Sequence, residues 1–256
     1  MSNQRDREKR REERVAAESQ AAGGDRRARL LQFSAAGVFL AIIVVVVVIV
    51  LVSAGSSSGG DAANLEEKAQ VEQLLAGIPQ NSTVLGKPNA PVKLYEYGDL
   101  QCSVCKYFSE EVLPEVIENQ VKTGKASITF RTFVTISGES IPAGEAALAA
   151  GAQGKGWNYI ETWYRNQGAE ASGYANEEFM EAMAKYVGVP NIAKWRKELQ
   201  SGKYKDQVEA TNEQAQKFGF GGTPSFAIEG PSSKGLELLG TPESSEAIEE
   251  DIEKAS

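Results

Sequence analysis

A long apolar run near the N-terminus constrains the fold of this chain more than any other feature of the sequence. No charged residue occurs from Leu30 to Gly60, and Phe33–Val52 is almost entirely apolar. Twenty residues in a helix rise about 30 Å, which matches the hydrocarbon core of a bilayer, whereas strands are much shorter. We therefore predict one transmembrane helix over residues 30–53, preceded by a charged cytoplasmic tail, residues 1–29.

The charges on either side of this run predict its orientation. Arg26, Arg27 and Arg29 precede it, and no Lys or Arg follows until Lys68. The positive-inside rule then places the N-terminus in the cytoplasm and the rest of the chain outside, at the cell membrane. A cleaved signal peptide is the alternative, because Ser53-Ala54-Gly55 offers small residues, but the apolar run is longer than such peptides carry.

Composition excludes several classes of function. The chain of 256 residues has two Cys, no His and a net charge of −8. Two cysteines without histidine cannot complete a zinc site in one chain, and hydrolases that use a His base are excluded. An acidic chain lacks the concentrated Lys and Arg that nucleic acid binding needs. What remains is chemistry that two thiols perform without a metal or an organic cofactor.

The rest of the chain is predicted to be a linker followed by one α/β domain. Residues 54–81 are a Ser/Gly/Ala-rich tether and a short helical stalk, and residues 82–256 form the domain. Val92–Tyr97 and residues 126–135 are predicted strands joined by a helix, which implies a parallel pair. A helical block over about 139–207 is inserted before a terminal hairpin and a last helix. The hairpin adds antiparallel strands, so we expect a mixed sheet.

Single residues predict where some helices begin or bend. Asn176 and Asn191 are predicted N-caps inside the helical block, and the last helix is predicted to have Pro242 in its first turn. Pro114 lies inside the helix that follows the cysteines and is expected to kink it.

The two cysteines form a Cys-x-x-Cys pair between the first strand and its helix. Unpaired N–H groups and the helix dipole at that position favour a thiolate at Cys102, which we predict to be the nucleophile. Cys105 can then reach back and resolve a mixed disulfide. A structural disulfide across Ser103-Val104, half of a Cys₄ zinc site shared with a second chain, and two unrelated buried thiols are the alternatives.

Two segments give the chain a resemblance to a known family. Leu85–Phe108 holds the strand and the cysteine pair, and Thr223-Pro224 directly precedes a β-rich run. Together they look like the thioredoxin superfamily, and the inserted helices resemble its DsbA-like branch, especially membrane-anchored bacterial members. The resemblance covers about 82–254. It implies a thioredoxin-like mixed sheet with a helical insertion, preceded by one transmembrane helix.

The resemblance also implies roles for residues outside the cysteine pair. Pro224 is expected to be cis, with Thr223 facing the cysteines and free to pair with an extended substrate. Glu96 stands where the family often has an acid near the resolving cysteine, and a buried carboxyl could move the proton of Cys105. The alternative for Glu96 is a solvated position at the strand edge. Asp99 is expected at the surface with no role.

The resemblance implies a thiol–disulfide oxidoreductase that acts on extracytoplasmic proteins, with disulfide formation favoured. Strongly oxidising members often carry Pro-His between the cysteines, whereas this chain has Ser103-Val104, so a reductase or isomerase stays open. A membrane-tethered thioredoxin-like binding module without turnover is the third candidate. An oxidase would need a membrane partner for reoxidation, by resemblance a quinone-linked DsbB-like or VKOR-like protein.

Overall fold

The fold is taken from a computed structural model that describes Ala62 and residues 64–256. The predicted cytoplasmic tail, transmembrane helix and first part of the linker lie outside the described residues. Within the described part of the chain, no helix has the length and apolarity needed to cross a membrane.

A six-stranded mixed sheet forms the centre of the domain. Its strands follow the order β1-β2-β4-β3-β5-β6. The central neighbours β3 and β4 are parallel and all other neighbours are antiparallel, which confirms the predicted mixed sheet. The hairpin of β1 and β2 was not predicted, because strands of two residues carry no readable period. The strands are β1 Gln80–Asn81, β2 Val84–Leu85, β3 Val92–Gly98, β4 Ala126–Thr132, β5 Ser225–Glu229 and β6 Glu237–Gly240.

Helices cover the sheet and fill the insertion. Five of the described helices, α3 to α7, lie between β4 and β5, and the bounds of the helical insertion, 139–207, stay a prediction. Asn176 and Asn191 cap α5 and α6 as expected. The last helix begins at Ser245 rather than at Pro242, because the Ser244 side chain accepts from Ala247 N–H and caps it. The helices are α1 Lys68–Leu74, α2 residues 103–121, α3 Ser140–Gly151, α4 Gly156–Arg165, α5 Glu177–Tyr186, α6 Ile192–Gln200, α7 Lys205–Lys217 and α8 Ser245–Ala255.

The helix that follows the cysteines, α2, is irregular around Pro114. Its α-helical parts, Ser103–Tyr107 and Leu113–Val116, alternate with π-helical turns, Phe108–Val112 and Ile117–Val121. Proline has no N–H to donate to the preceding turn, and wider turns commonly occur at such positions. The kink expected at Pro114 stays a prediction, and the structure has a π-helical turn that ends two residues before the proline.

The segment predicted to be a stalk packs onto the domain. Val71 of α1 is fully buried, and Leu75 lies one turn further along the same face. Asn166, directly after α4, accepts a hydrogen bond from Glu66 N–H at 2.8 Å and donates one to the Glu66 carbonyl at 3.0 Å. The domain therefore begins before residue 82, because the apolar stripe of this short helix needs a partner surface.

Candidate active site

The cysteines lie at the start of α2, directly after the turn that follows β3. Cys102 is the N-cap residue with extended backbone angles, and its N–H donates to the Asp99 carbonyl at 3.0 Å. Both cysteines are free thiols. Cys105 is fully buried, whereas Cys102 keeps 5 % of its surface exposed. The predicted strand–turn–helix setting is confirmed, and of the two sulfurs Cys102 is the one that a second protein can reach.

The two thiols differ strongly in acidity. The pKa of Cys102 is lowered to about 7, first because the Cys105 thiol donates a hydrogen bond to it and further because Thr223 and the backbone N–H groups of Val104 and Cys105 do so. The pKa of Cys105 is raised well above its ordinary value, because the thiol is buried and lies beside Cys102. Near neutral pH the accessible sulfur is therefore partly a thiolate and the buried one keeps its proton.

The loop before β5 faces the cysteine pair. The Thr223-Pro224 peptide bond is cis, as expected. The Cys102 Sγ lies 3.4 Å from the Thr223 carbonyl oxygen. The Thr223 hydroxyl lies 3.0 Å from that of Thr135, in the loop after β4. The expected placement of Thr223 is confirmed, and its role in substrate pairing stays a prediction.

Asp99, which was expected at the surface, is fully buried and organises the turn. Its carboxylate accepts hydrogen bonds from the backbone N–H groups of Gln101, Thr135 and Ile136 at 2.9, 2.8 and 3.0 Å. It thereby joins the active-site turn to the loop that carries Thr135. The surface prediction was wrong, although an Asp that follows a strand and bonds the N–H two residues later is a known turn pattern.

The loop after α4 also contacts the active-site turn, and sequence reasoning missed these contacts. Gln167 donates to the carbonyls of Leu100 and Cys102 at 2.8 and 3.1 Å. The Glu170 carboxylate accepts from Ser103 N–H, the first amide of α2, at 2.7 Å. More than 60 residues separate these partners in sequence, so no local pattern signals them.

Glu96 lies on the face of β3 that points into the core, which is one of the two positions that the sequence left open. It is 1 % exposed, and neither carboxyl oxygen has a hydrogen-bond partner among the described residues. Burial raises the pKa of Glu96 to about 8, with a further contribution from the negative charge of Glu161. Glu96 in turn is one of the charges that raise the pKa of Cys105. The buried reading of Glu96 is confirmed, and its catalytic role stays a prediction.

An exposed apolar rim lies beside Cys102. Val104 and Tyr107 expose 46 % and 47 % of their surface, and Leu238 is the other strongly exposed large apolar residue in the described part of the chain. Because Val104 and Tyr107 are three residues apart on α2, their side chains are neighbours. This apolar rim gives the reactive thiol a surface suited to contact with apolar segments of another protein.

The fold and this site define a class of protein. A reactive Cys-x-x-Cys pair at a helix N-terminus, a cis proline facing it and helices inserted into a mixed sheet are the features of a DsbA-like thiol–disulfide oxidoreductase. The family model described as "Thioredoxin" matches residues 79–253. The chain belongs to the thioredoxin family.

Comparison with similar proteins agrees with this assignment. The chain is 29 % identical over 168 residues to "Probable disulfide bond formation protein D" of Bacillus cereus, covering 64 % of this chain and 77 % of that one. Its fold is similar to the crystal structure of oxidised BdbD from Bacillus subtilis, with a TM-score of 0.61 and 22 % identity over 70 % of this chain and 96 % of the other. Wolbachia pipientis alpha-DsbA1 gives 0.58 and 20 %, over 68 % and 90 %.

Proposed function

We propose that this protein is a membrane-anchored thiol–disulfide oxidoreductase that forms disulfide bonds in proteins outside the cytoplasm. One observation carries the proposal: an accessible thiol of lowered pKa, Cys102, lies beside a buried thiol of raised pKa, Cys105. The names of the matched Bacillus relatives refer to disulfide bond formation, which supports oxidation of the substrate as the direction of the reaction.

The proposed reaction begins with the Cys102–Cys105 disulfide. A substrate thiolate attacks the Sγ of Cys102, the bond between the two cysteines breaks, and its electron pair goes to Cys105. A second substrate thiolate then attacks the substrate sulfur of the mixed disulfide, and Cys102 leaves as a thiolate. The substrate gains a disulfide and the cysteine pair is reduced by two electrons. The low pKa of Cys102 makes it a good leaving group in the second step.

Cys105 is a poor leaving group by itself, because its thiolate is destabilised by burial. With a pKa of about 8, Glu96 is mostly protonated at neutral pH, and once ionised its negative charge raises the pKa of Cys105. In the proposed mechanism Glu96 gives its proton to the Cys105 sulfur as the disulfide opens, which is general acid catalysis. When the pair is reoxidised, Glu96 takes the proton back.

Substrate proteins would bind as extended segments across the loop that holds Thr223 and the apolar rim. The Thr223 carbonyl faces Cys102, so its backbone is positioned to pair with a strand that carries the substrate cysteine. Val104 and Tyr107 supply apolar surface next to it. Such a site recognises backbone groups and apolar side chains of the substrate, so it can accept many different substrate proteins.

The location and the redox partner are part of the same proposal. The apolar run over 30–53 anchors the chain in the cell membrane, with residues 1–29 in the cytoplasm and the catalytic domain outside. The reduced pair then needs an oxidant, and a quinone-linked DsbB-like or VKOR-like membrane protein would supply it. No organic cofactor and no nucleic acid takes part.

A reductase or isomerase is the second candidate, and a specific observation favours it. The pKa of Cys102 is about 7, and strongly oxidising enzymes of this fold have much more acidic cysteines, near 3.5. Ser103 and Val104, the residues between the cysteines, carry no positive charge that would lower it further. The reduction potential distinguishes the two: a value near −120 mV indicates an oxidase and one near −270 mV a reductase.

Trapping tests the proposed function. The full-length Cys105→Ala variant, expressed in its host, is expected to accumulate mixed disulfides with envelope or secreted proteins through Cys102, because no second thiol releases them. Cys102→Ser is the matched control and is expected to trap nothing. An empty trap in Cys105→Ala, together with an unchanged phenotype of Cys102→Ser, would refute the oxidoreductase and indicate a binding module.

A further inference from the structure

The loop after α4 places an exposed carboxyl group, Glu170, on the helix that carries the cysteines. Glu170 Oε1 accepts a hydrogen bond from Ser103 N–H at 2.7 Å. This N–H is the first amide of α2 and belongs to the peptide that joins Ser103 to Cys102. An exposed carboxyl group is ionised at neutral pH, so the contact brings a negative charge to the positive end of α2. The mechanism above gives this charge no part.

The loop is held in place on both sides of Glu170. Before it, the Gln167 side chain donates to the Leu100 carbonyl at 2.8 Å, and after it the Tyr174 hydroxyl donates to the same carbonyl at 3.3 Å. Gln167 and Tyr174 are both buried. Ala171 has a φ of 52°, a left-handed conformation that residues other than glycine rarely adopt. A loop fixed in this way holds the Glu170 backbone in a defined position beside the helix.

Two anions share the N-terminus of α2. The Cys102 thiolate accepts from the backbone N–H groups of Val104 and Cys105. The N–H of Ser103 is taken by Glu170. Because that amide is bonded to Cys102, covalent geometry keeps the Glu170 oxygen within about 8 Å of the Cys102 sulfur. This is about one Debye length at physiological ionic strength, so the Glu170 carboxylate repels the thiolate that the other amides stabilise.

Other ionisable groups lie around the cysteine pair on every element that adjoins it. They are Cys105 and Lys106 on α2, Glu96 on β3, Asp99 in the turn, Glu139 in the loop after β4 and Tyr164 on α4. The cation of this set, Lys106, has its Nζ 3.7 Å from Glu110. It is therefore engaged on its own helix and leaves the charge of Glu170 unbalanced at the cysteines.

We propose that Glu170 limits the oxidising strength of the Cys102–Cys105 pair by opposing the positive end of α2. This inference rests on the proposed function and deepens it by naming a residue that sets the redox equilibrium. Glu170 acts through the Ser103 amide and is a positioning residue rather than a catalytic one. The pKa of Cys102, about 7, is higher than the value near 3.5 of a strong oxidant of this fold, in keeping with such a charge.

The stability of the Cys102 thiolate enters the redox equilibrium directly. When two glutathione thiols reduce the protein disulfide, they lose two electrons and two protons and become one glutathione disulfide. The Cys102–Cys105 bond takes both electrons and breaks. Cys105 takes one proton, and the second stays in solution wherever Cys102 remains a thiolate. A charge that destabilises this thiolate shifts the equilibrium toward the protein disulfide, which makes the pair less oxidising.

The Glu170→Gln variant of the full-length protein in detergent tests the inference. The substitution removes the charge and keeps an oxygen that can accept from Ser103 N–H. The pKa of Cys102, measured by thiolate absorbance, should fall by about half a unit to one unit. At pH 7 the glutathione equilibrium should shift about 2- to 5-fold toward the reduced protein, which raises the reduction potential by about 10 to 20 mV.

The pH dependence separates this electrostatic role from a structural one. Near pH 5 Cys102 is a thiol in both proteins, so their glutathione equilibrium constants should coincide. Near pH 9 it is a thiolate in both, and the difference should reach about 3- to 10-fold. A difference of the same size at every pH would show that the substitution changes the structure rather than the thiolate, and would overturn the inference.

Matched variants complete the test. Glu178→Gln removes an exposed carboxylate from the first turn of α5 and should leave both the pKa of Cys102 and the equilibrium unchanged. Glu170→Asp keeps a charge in the loop and should stay closer to wild type than Glu170→Gln. An unchanged pKa of Cys102 in Glu170→Gln, or an equal change in Glu178→Gln, would contradict the assignment. Failure of the proposed function would look different, because Cys105→Ala would then trap no substrate whatever the potential.

Discussion

The two faces of strand β3 carry polar side chains in opposite situations. On the face toward α2, Glu96 is buried and neither oxygen has a partner among the described residues. On the other face, the Tyr97 hydroxyl donates to Gln214 Oε1 at 2.8 Å and accepts from Arg131 Nη1 at 2.6 Å. Arg131 also lies 4.1 Å from the centre of the Tyr95 ring. One face leaves a polar group without partners and the other gives its polar groups several.

The difference separates what the domain needs for function from what it needs for stability. A buried carboxyl without partners is unfavourable when charged, so it stays protonated and can donate a proton. The hydrogen-bonded cluster of Arg131, Tyr97 and Gln214 has no such reactivity and instead ties β3, β4 and α7 together. Substitutions on the two faces should therefore change different quantities.

The largest expected effect is on the rate of thiol exchange. Glu96→Gln removes the proposed acid and should slow oxidation of a reduced peptide about 100-fold at neutral pH, within the range of general acid catalysis. Stopped-flow fluorescence or a quenched thiol assay measures it. A rate equal to wild type would show that Glu96 is not the acid, and the face of β3 toward α2 would then have no proton donor for Cys105.

The next effect is on the pH dependence of stability. The pKa of Glu96 is raised from 4.5 to about 8 in the folded domain, so between these values the unfolded chain releases a proton that the folded domain keeps. The stability contributed by this group therefore falls as pH rises. Relative to Glu96→Gln, the free energy of unfolding of the reduced wild-type protein, measured with urea, should fall by about 2 to 3 kcal/mol from pH 5 to pH 7. A constant difference would mean that Glu96 is solvated.

On the opposite face, Arg131→Met should lower the free energy of unfolding by about 2 kcal/mol. It removes the hydrogen bonds to Tyr97 and Gln214 and the stacking on Tyr95 while keeping much of the side-chain volume. Urea denaturation at neutral pH measures the loss. The rate of peptide oxidation at a temperature where the variant is folded should match wild type, and a slower rate would show that this face also contributes to function.

The smallest effect is expected from Tyr97→Phe. It deletes one hydroxyl while Arg131 still donates to Gln214 at 2.7 Å, so the unfolding free energy should fall by only about 1 kcal/mol. This variant is the matched control for Glu96→Gln, because the two residues are adjacent on β3 and point to opposite sides. If Tyr97→Phe slowed exchange as much as Glu96→Gln, position on the strand rather than chemistry would account for both.

Local patterns in the sequence were enough to predict most of the strands and helices and the position of the cysteine pair. Val92, Leu94 and Glu96 alternate with polar or aromatic residues, which predicted β3 and made burial of Glu96 one of two possibilities. Asn176 and Asn191 predicted helix starts because a cap bonds N–H groups within its own turn. The cysteine pair was placed correctly because its setting depends on the adjoining strand and helix.

What the sequence did not predict depends on contacts between distant segments. Asp99 was expected at the surface, since a charged residue after a strand is usually solvated, but two of its partners are amides of the loop after β4. The burial of Glu161 has no local sign either, because its partner Ser109 lies on α2, far away in the sequence. No period or motif in a single sequence encodes such pairings.

The contact between Glu170 and Ser103 has a consequence for how this protein can diverge. Glu170 belongs to the loop after α4, yet its carboxylate occupies the first amide of the helix whose positive end stabilises the Cys102 thiolate. A substitution at residue 170 therefore alters the electrostatics of the nucleophile while both cysteines and the residues between them stay the same. Selection acting on the insertion alone can adapt such an enzyme to a new redox environment, and engineers can use the same position.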